Sequence, residues 1–225
     1  MRLQRASLVL DFALRVLILV CAFALFTLIG ATLGAVAHAQ TIPAQAQAYK
    51  LTLKREAQRV WGLDAPVATF AAQVHQESRW RSDARSPVGA LGLTQFMPST
   101  AVFIGRVDAS LSSQDASIAL NPRWALRALV TYDFWLWERV QAADYCSRMA
   151  FALSGYNGGL GWVYRDQHLA SSMGLDKQVW WASVETVNAG RTSAAWTENK
   201  AYPRKILTQL TLLYVSAGWG RGVCQ

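Results

Sequence analysis

Apolar residues along this chain recur at helical spacing and hardly anywhere at strand spacing, and that period confines it to a helical fold. From Lys50 to Trp61 a helix is expected, with Leu53, Ala57 and Val60 along one side. Asp64-Ala65-Pro66 reads as the next start, Asp64 as cap and Pro66 early in the first turn. The helix it opens puts Val67, Phe70, Ala71 and Val74 on one stripe, which Glu77 continues at its edge. Asn121-Pro122 opens another, to about Gln141, with Ala125, Leu129, Tyr132 and Leu136 in register. A further helix spans about Tyr145 to Ser154 and stops at Gly155-Tyr156-Asn157-Gly158-Gly159. The last begins near Tyr202-Pro203 and carries Ile206, Leu207, Leu210 and Leu213. Helices with short Gly/Pro punctuation give a mainly α domain.

The first forty residues have another logic. Arg2, Arg5 and Arg15 precede 22 uncharged residues, Val16 to Ala37, and Ala37-His38-Ala39 then supplies a cleavage pattern before Gln40. The run is also long enough to span a bilayer. Residues 1–39 are therefore a signal peptide or a signal anchor, a buried core helix being the third reading. With the basic side first, the remainder lies outside the cytoplasm, in the periplasm or tethered to the inner membrane facing it. Contact with the membrane runs through residues 16–37, at least transiently. Residues 40–48 (QTIPAQAQA) read as a polar linker, and 49–225 as one domain with a proper core.

Residues 40–225 keep 19 basic and 13 acidic side chains, a net +6, which attracts anionic envelope polymers. No basic stripe, helix-turn-helix or zinc spacing accompanies that charge, so nucleic acid is not the expected partner. Cys21 falls in the apolar run, leaving Cys146 and Cys224 as a pair that an oxidising compartment would join. Two buried thiols are the alternative. His75 and His168 stand alone, without metal-ligand spacing, and no nucleotide fingerprint is present; neither metal nor cofactor is expected.

Chemistry concentrates between Glu77 and Thr100, ESRWRSDARSPVGALGLTQFMPST. A carboxylic acid beside an apolar stripe loses hydration, keeps its proton near neutrality and can donate it to a glycosidic oxygen. From position alone, an exposed Glu at a helix end is the competing reading. Gly89 and Gly92 allow the following loop to approach a ligand closely.

Glu-Ser, a loop, then Gly-Leu-Thr-Gln-Phe-Met-Pro resembles, nearly residue for residue, the signature of lytic transglycosylases of the soluble-lytic-transglycosylase type (glycoside hydrolase family 23). Gly155-Tyr156-Asn157-Gly158-Gly159 is similar to the family's A-Y-N-A/G-G motif, with Gly for Ala at the first position. Trp196-Thr197-Glu198-Asn199-Lys200-Ala201-Tyr202 resembles its late E-T-x-x-Y-V segment more loosely. There the tyrosine is one residue further on, and Pro203 stands where the family has valine.

The resemblance implies a lysozyme-like fold, as in goose-type lysozyme, and a monomer acting on the glycan strands of peptidoglycan. It makes Glu77 the acid and base, and Ser78 a neighbour that bonds substrate or orients the acid. Gln95, Phe96, Met97, Tyr156, Asn157, Glu198 and Tyr202 become the substrate-binding wall. It also implies a reaction without a second catalytic carboxylate: the muramic N-acetyl group supports the oxocarbenium charge, and Glu77 then deprotonates the C6 hydroxyl. The product is a 1,6-anhydromuramyl end. Asp83, nearby in sequence, reads as a solvated loop residue. A goose-type hydrolase is the alternative reaction, and a non-catalytic glycan-binding protein the alternative class. A phage endolysin is the favoured setting over a host enzyme that opens the wall for a secretion or conjugation apparatus. Of ten tryptophans, Trp80, Trp162, Trp180, Trp181 and Trp196 fall near the motifs, where stacking on sugars and core packing are both open; Trp135 and Trp137 are assigned to core or helix surface.

Overall fold

The apolar stripes become eight helices among the described residues, which are 41–224 of a computed structural model. The expected readings of residues 1–39 lie outside them. The helices are α1 (Ala46–Trp61), α2 (Val67–Ser78), α3 (Pro98–Val107), α4 (Pro122–Arg139), α5 (Tyr145–Gly158), α6 (Leu160–Ser172), α7 (Ser193–Lys205) and α8 (Thr211–Ser216). A π-helical turn, Ile206–Leu210, joins α7 to α8. Strand structure among the described residues is limited to isolated bridges, Arg85 with Leu91 and Leu91 with Phe96. Among these residues no helix is long and apolar enough to cross a membrane.

The expected starts and stops hold in part. α1 begins at Ala46, itself fully buried, so residues 46–48 belong to the folded domain instead of a linker. α4 starts as read: the Asn121 side chain accepts from the amides of Arg123 and Trp124, with Pro122 next, where no amide hydrogen is needed. Asp64 does not cap α2. It is exposed, pairs with Arg221 at 3.6 Å, and leaves the helix to open at Pro66, whose carbonyl accepts from Thr69 and Phe70. The free amide of Ala68 finds its partner far away, in the Arg221 carbonyl at 3.2 Å, and the Val223 amide donates to the Thr69 hydroxyl. Residues 221–223 thus strap the start of α2.

Two further readings are corrected. α5 does not stop at Gly155 but runs through Tyr156 and Asn157 to Gly158, ending at Gly159 with φ +94°. Gly155 and Gly158 are there for closeness. A Cβ on Gly158 would sit 2.6 Å from Asn199 Nδ2, and one on Gly155 3.1 Å from Leu136. Nor does the last helical stretch begin at Tyr202-Pro203. α7 starts nine residues earlier, capped by Thr192, and Pro203 lies inside it. Losing the Pro203 amide is followed by widening into the π-helical turn, as expected where a helix must absorb a missing donor.

Two apolar cores result. The larger is built mainly on α1, α2, α4, α5 and the π-helical turn, the smaller on Leu91, Phe96, Ala101, Ile104, Leu111, Ala119 and Ala128. Tyr132 and Tyr156 pack against both, so a seam runs between the cores at these two rings. At the far side of α2, Trp80 Nε1 donates to the Tyr214 hydroxyl at 2.6 Å, leaving that hydroxyl to donate to His75 Nδ1 at 3.1 Å. His75 must then be neutral. Burial, seconded by Arg79 and Lys205, pushes its pKa down to about 4. The disulfide is formed, joining Cys146 at the start of α5 to Cys224 across 78 residues.

Candidate active site

The groove lies on the seam, about 380 Å³ in volume, with Glu77 in its wall. α2 delivers Glu77 in its last turn and then stops, because Arg79 and Trp80 both take left-handed conformations (φ 53° and 65°). That reversal buries Trp80 and sends the chain into the 81–97 loop. The loop returns beside the acid through Gly92, whose φ is +72° and whose Cβ would lie 2.2 Å from the Ala119 carbonyl. Gly92 therefore permits protein to approach protein, not ligand, and Gly89 serves only a positive-φ turn. Phe96, Tyr132 and Tyr156 line the groove's aromatic face; Gln95, Met97, Asn157, Glu198 and Tyr202 line the remainder.

Burial pushes the Glu77 carboxyl up to about 8; the Tyr202 hydroxyl, which donates to Oε1, works against that rise, and the Glu198 charge adds to it. Glu77 thus carries a proton at neutral pH while its side chain remains part of an open groove. Tyr202 is buried, and its hydroxyl is committed to Glu77. Tyr156 is held by the Thr94 carbonyl at 2.7 Å, fastening α5 to the loop.

Asn199 fastens α5 to α7. Its amide donates to the Ser154 carbonyl at 2.9 Å and to Asn157 Oδ1 at 3.0 Å, and its carbonyl accepts from the Ser154 hydroxyl at 2.8 Å. Asn157 in turn reaches Glu198 at 3.5 Å.

Of the residues singled out from sequence, eight line this groove: Glu77, Gln95, Phe96, Met97, Tyr156, Asn157, Glu198 and Tyr202. Ser78 does not. It is buried, and its hydroxyl donates to the Leu93 carbonyl at 2.8 Å, tying α2 to the loop behind the acid. Gln95, at φ 49°, spends its amide on the Gly92 and Ala84 carbonyls and so stiffens the loop it sits in. Asp83 is exposed and off the groove. No tryptophan lines the groove; Trp80 and Trp180 are core residues, while Trp162 lines a neighbouring pocket.

Asp133 was not anticipated. Wholly buried on α4, it accepts from Gln73 at 3.2 Å, and burial holds its carboxyl well above the usual carboxylate range. Its Oδ2 and Gln73 Oε1 both lack protein partners among the described residues. An acid inside the Leu129–Leu136 apolar register was the available signal.

Fold and groove together define a lysozyme-like helical domain with a proton-bearing carboxylic acid, Glu77, in the wall of its groove. The chain belongs to the transglycosylase SLT domain family, whose profile matches residues 52–180. It is 33% identical over 115 residues to membrane-bound lytic murein transglycosylase F of Shewanella frigidimarina, and 35% identical over 112 residues to that of Maricaulis maris. Each match takes in 49% of this chain but only 21% and 22% of the relative, so the chain spans about a fifth of their length. The 70 kDa soluble lytic transglycosylase of Escherichia coli superposes with a TM-score of 0.56 at 20% identity, covering 76% of this chain and 24% of that one. An inactive mutant of lytic transglycosylase Slt from Pseudomonas aeruginosa gives 0.57 at 23%, covering 79% and 25%. α7 lies beyond the profile match, and its Tyr202 reaches Glu77 through the fold.

Proposed function

We propose that this domain is a peptidoglycan lytic transglycosylase that cleaves the MurNAc–GlcNAc β-1,4 bond and leaves 1,6-anhydromuramyl ends. The observation that carries the reading is Glu77: a carboxyl raised to about 8 by burial, yet open to a groove of sugar-binding size. Such a group begins the reaction protonated and can protonate the departing glycosidic oxygen. Once ionised it is a base of matched strength, able to take the C6 hydroxyl proton as that oxygen closes on C1. The muramic N-acetyl group supports the charge between these steps.

Asp133 is not placed to serve as a second catalytic carboxylate, being wholly buried and off the groove lining, with burial holding its carboxyl well above the usual range. Glu198 lies at the rim, exposed, and is assigned to binding with Gln95, Phe96, Met97, Asn157, Tyr156 and Tyr202. Ser78 acts through the loop. Kinship with enzymes named lytic murein transglycosylases supports the substrate.

The test is the product. Muropeptides released from purified peptidoglycan are expected to be lighter by one water than lysozyme products and inert to borohydride. Predominantly reducible ends would overturn the assignment in favour of hydrolysis.

The domain's place is outside the cytoplasm. The apolar run 16–37 behind three arginines supports this, as does a disulfide of the kind that persists in oxidising compartments. Residues 1–39 are its export segment and 46–225 its catalytic part, working as a monomer in phage-driven lysis. The N-terminus of released active enzyme distinguishes Gln40, after a cleaved signal, from Met1, after release of an anchor.

A further inference from the structure

A second pocket, about 400 Å³, adjoins the groove and shares Asn157 and Glu198 with it. Its wall holds the N-terminus of the thirteen-residue α7, where Thr192 is the cap, together with Trp162 and Arg191. The Arg191 side chain is only 4% exposed. Its Nη1 donates to Asp166 at 2.8 Å, but Nε and Nη2 have no protein partner among the described residues. Buried guanidinium N–H groups left unpaired are costly, and a carboxylate is the planar group that fits two of them.

Charge points the same way. Asp166, fully buried, also binds Lys200 Nζ at 2.7 Å, so one carboxylate answers two cations and their charge is in excess at the buried end of the pocket, with the exposed Glu198 the opposing carboxylate in its lining. A helix N-terminus adds to that field. Arg191 is held ready: Asn188 Oδ1 accepts from the Gly190 and Arg191 amides, and Asn188 Nδ2 donates to the Arg191 carbonyl at 2.9 Å. The Trp162 ring lies 5.1 Å from the guanidinium, with Arg165 on the ring as well, at 4.5 Å.

We propose that this pocket is a carboxylate-binding subsite that takes a free carboxyl group of the peptide stem borne by the glycan strand. The inference rests on peptidoglycan being the substrate. In that polymer the sugars are largely neutral and the stems carry the acids, and the pocket's continuity with the groove places it within reach of a stem whose glycan lies over Glu77. Binding slides the half-buried Trp162 ring off the guanidinium, which makes indole emission a reporter.

The experiment titrates the protein with a stem tetrapeptide carrying free carboxylates and with its fully amidated counterpart, by calorimetry and by emission against a W162F control. It then compares kcat/KM on peptide-bearing strands with that on strands stripped by an amidase. Arg191→Gln is the direct variant. Ala195→Glu, at an exposed position in the pocket wall, keeps the test valid should loss of Arg191 unfold the domain. Amidation and Ala195→Glu are each expected to weaken peptide binding by about tenfold or more. The ratio of activity on peptide-bearing over stripped strands should fall by a similar factor in Ala195→Glu. Equal binding of the amidated peptide, or an unchanged ratio while anhydro products continue to form, overturns the subsite and leaves the enzymatic reading standing. Peptide binding that Ala195→Glu abolishes, in a protein that cleaves no strand, keeps the subsite and overturns the enzyme.

Discussion

Glu77 meets two demands that pull against each other, enclosure enough to keep a proton and exposure enough to face the groove. The stop after α2 reconciles them, because two left-handed residues end the helix with the acid at its rim. Glu77→Gln keeps the shape and removes the transferable proton, so lytic rate should fall by roughly 10²–10⁴-fold, measured on purified sacculi. Glu198→Gln should cost no more than about tenfold in kcat/KM and leave the anhydro product unchanged. A loss matching that of Glu77→Gln would make Glu198 a second catalytic carboxylate. Glu77 was legible because a motif surrounded it. Asp133, Asn199 and Arg191 were not, since each acquires its meaning from a partner 25 to 60 residues away in sequence.

Among elements, the readable helices were those carrying a regular apolar stripe, and α4, which also has the Asn121 cap, is the clearest case. α3 and α6 escaped because each buries only two or three residues, Ala101 and Ile104 in one and Val163, Asp166 and Ala170 in the other. α5 was cut short because glycine was read as punctuation where it permits contact. The two glycines should answer differently to alanine. At Gly158 the new Cβ meets Asn199, which cannot yield without releasing α7, and Tyr202 lies on α7 one turn beyond Asn199. Gly158→Ala should destabilise by about 1–3 kcal/mol in thermal melts and lower kcat. At Gly155 the neighbour is the end of a leucine side chain, which can turn aside, and helix propensity favours alanine by up to about 1 kcal/mol. Gly155→Ala should be near neutral.

Across the whole molecule, Glu77 and His75 give opposite pH dependences. His75, lowered to about 4, resists the proton that the unfolded chain accepts below 6.5, so its contribution is lost as pH falls from 6.5 to 4. Glu77, raised to about 8, keeps the proton that the unfolded chain releases above 4.5, so stability is lost as pH rises from 4.5 to 8. Glu77→Gln removes only the second effect. Its stability should therefore pull above wild type progressively across that window, by an amount on the order of a few kcal/mol at pH 8, read from unfolding at each pH. A constant gap from pH 5 to 8 would contradict the raised acid. Reducing Cys146–Cys224 should lower stability by up to roughly 4–5 kcal/mol, read from denaturant unfolding with and without reductant.

The strap over the start of α2 also imposes an order in time. The Thr69 hydroxyl waits for the amide of Val223, 154 residues later, and the Ala68 amide for the Arg221 carbonyl. During synthesis the segment bearing Glu77 leaves the ribosome while the residues that finish its helix have yet to be translated. Tyr202, which holds the acid, also arrives late, and Cys224 can be oxidised only after that. The groove around Glu77 is therefore complete only when residues 202–224 have come home.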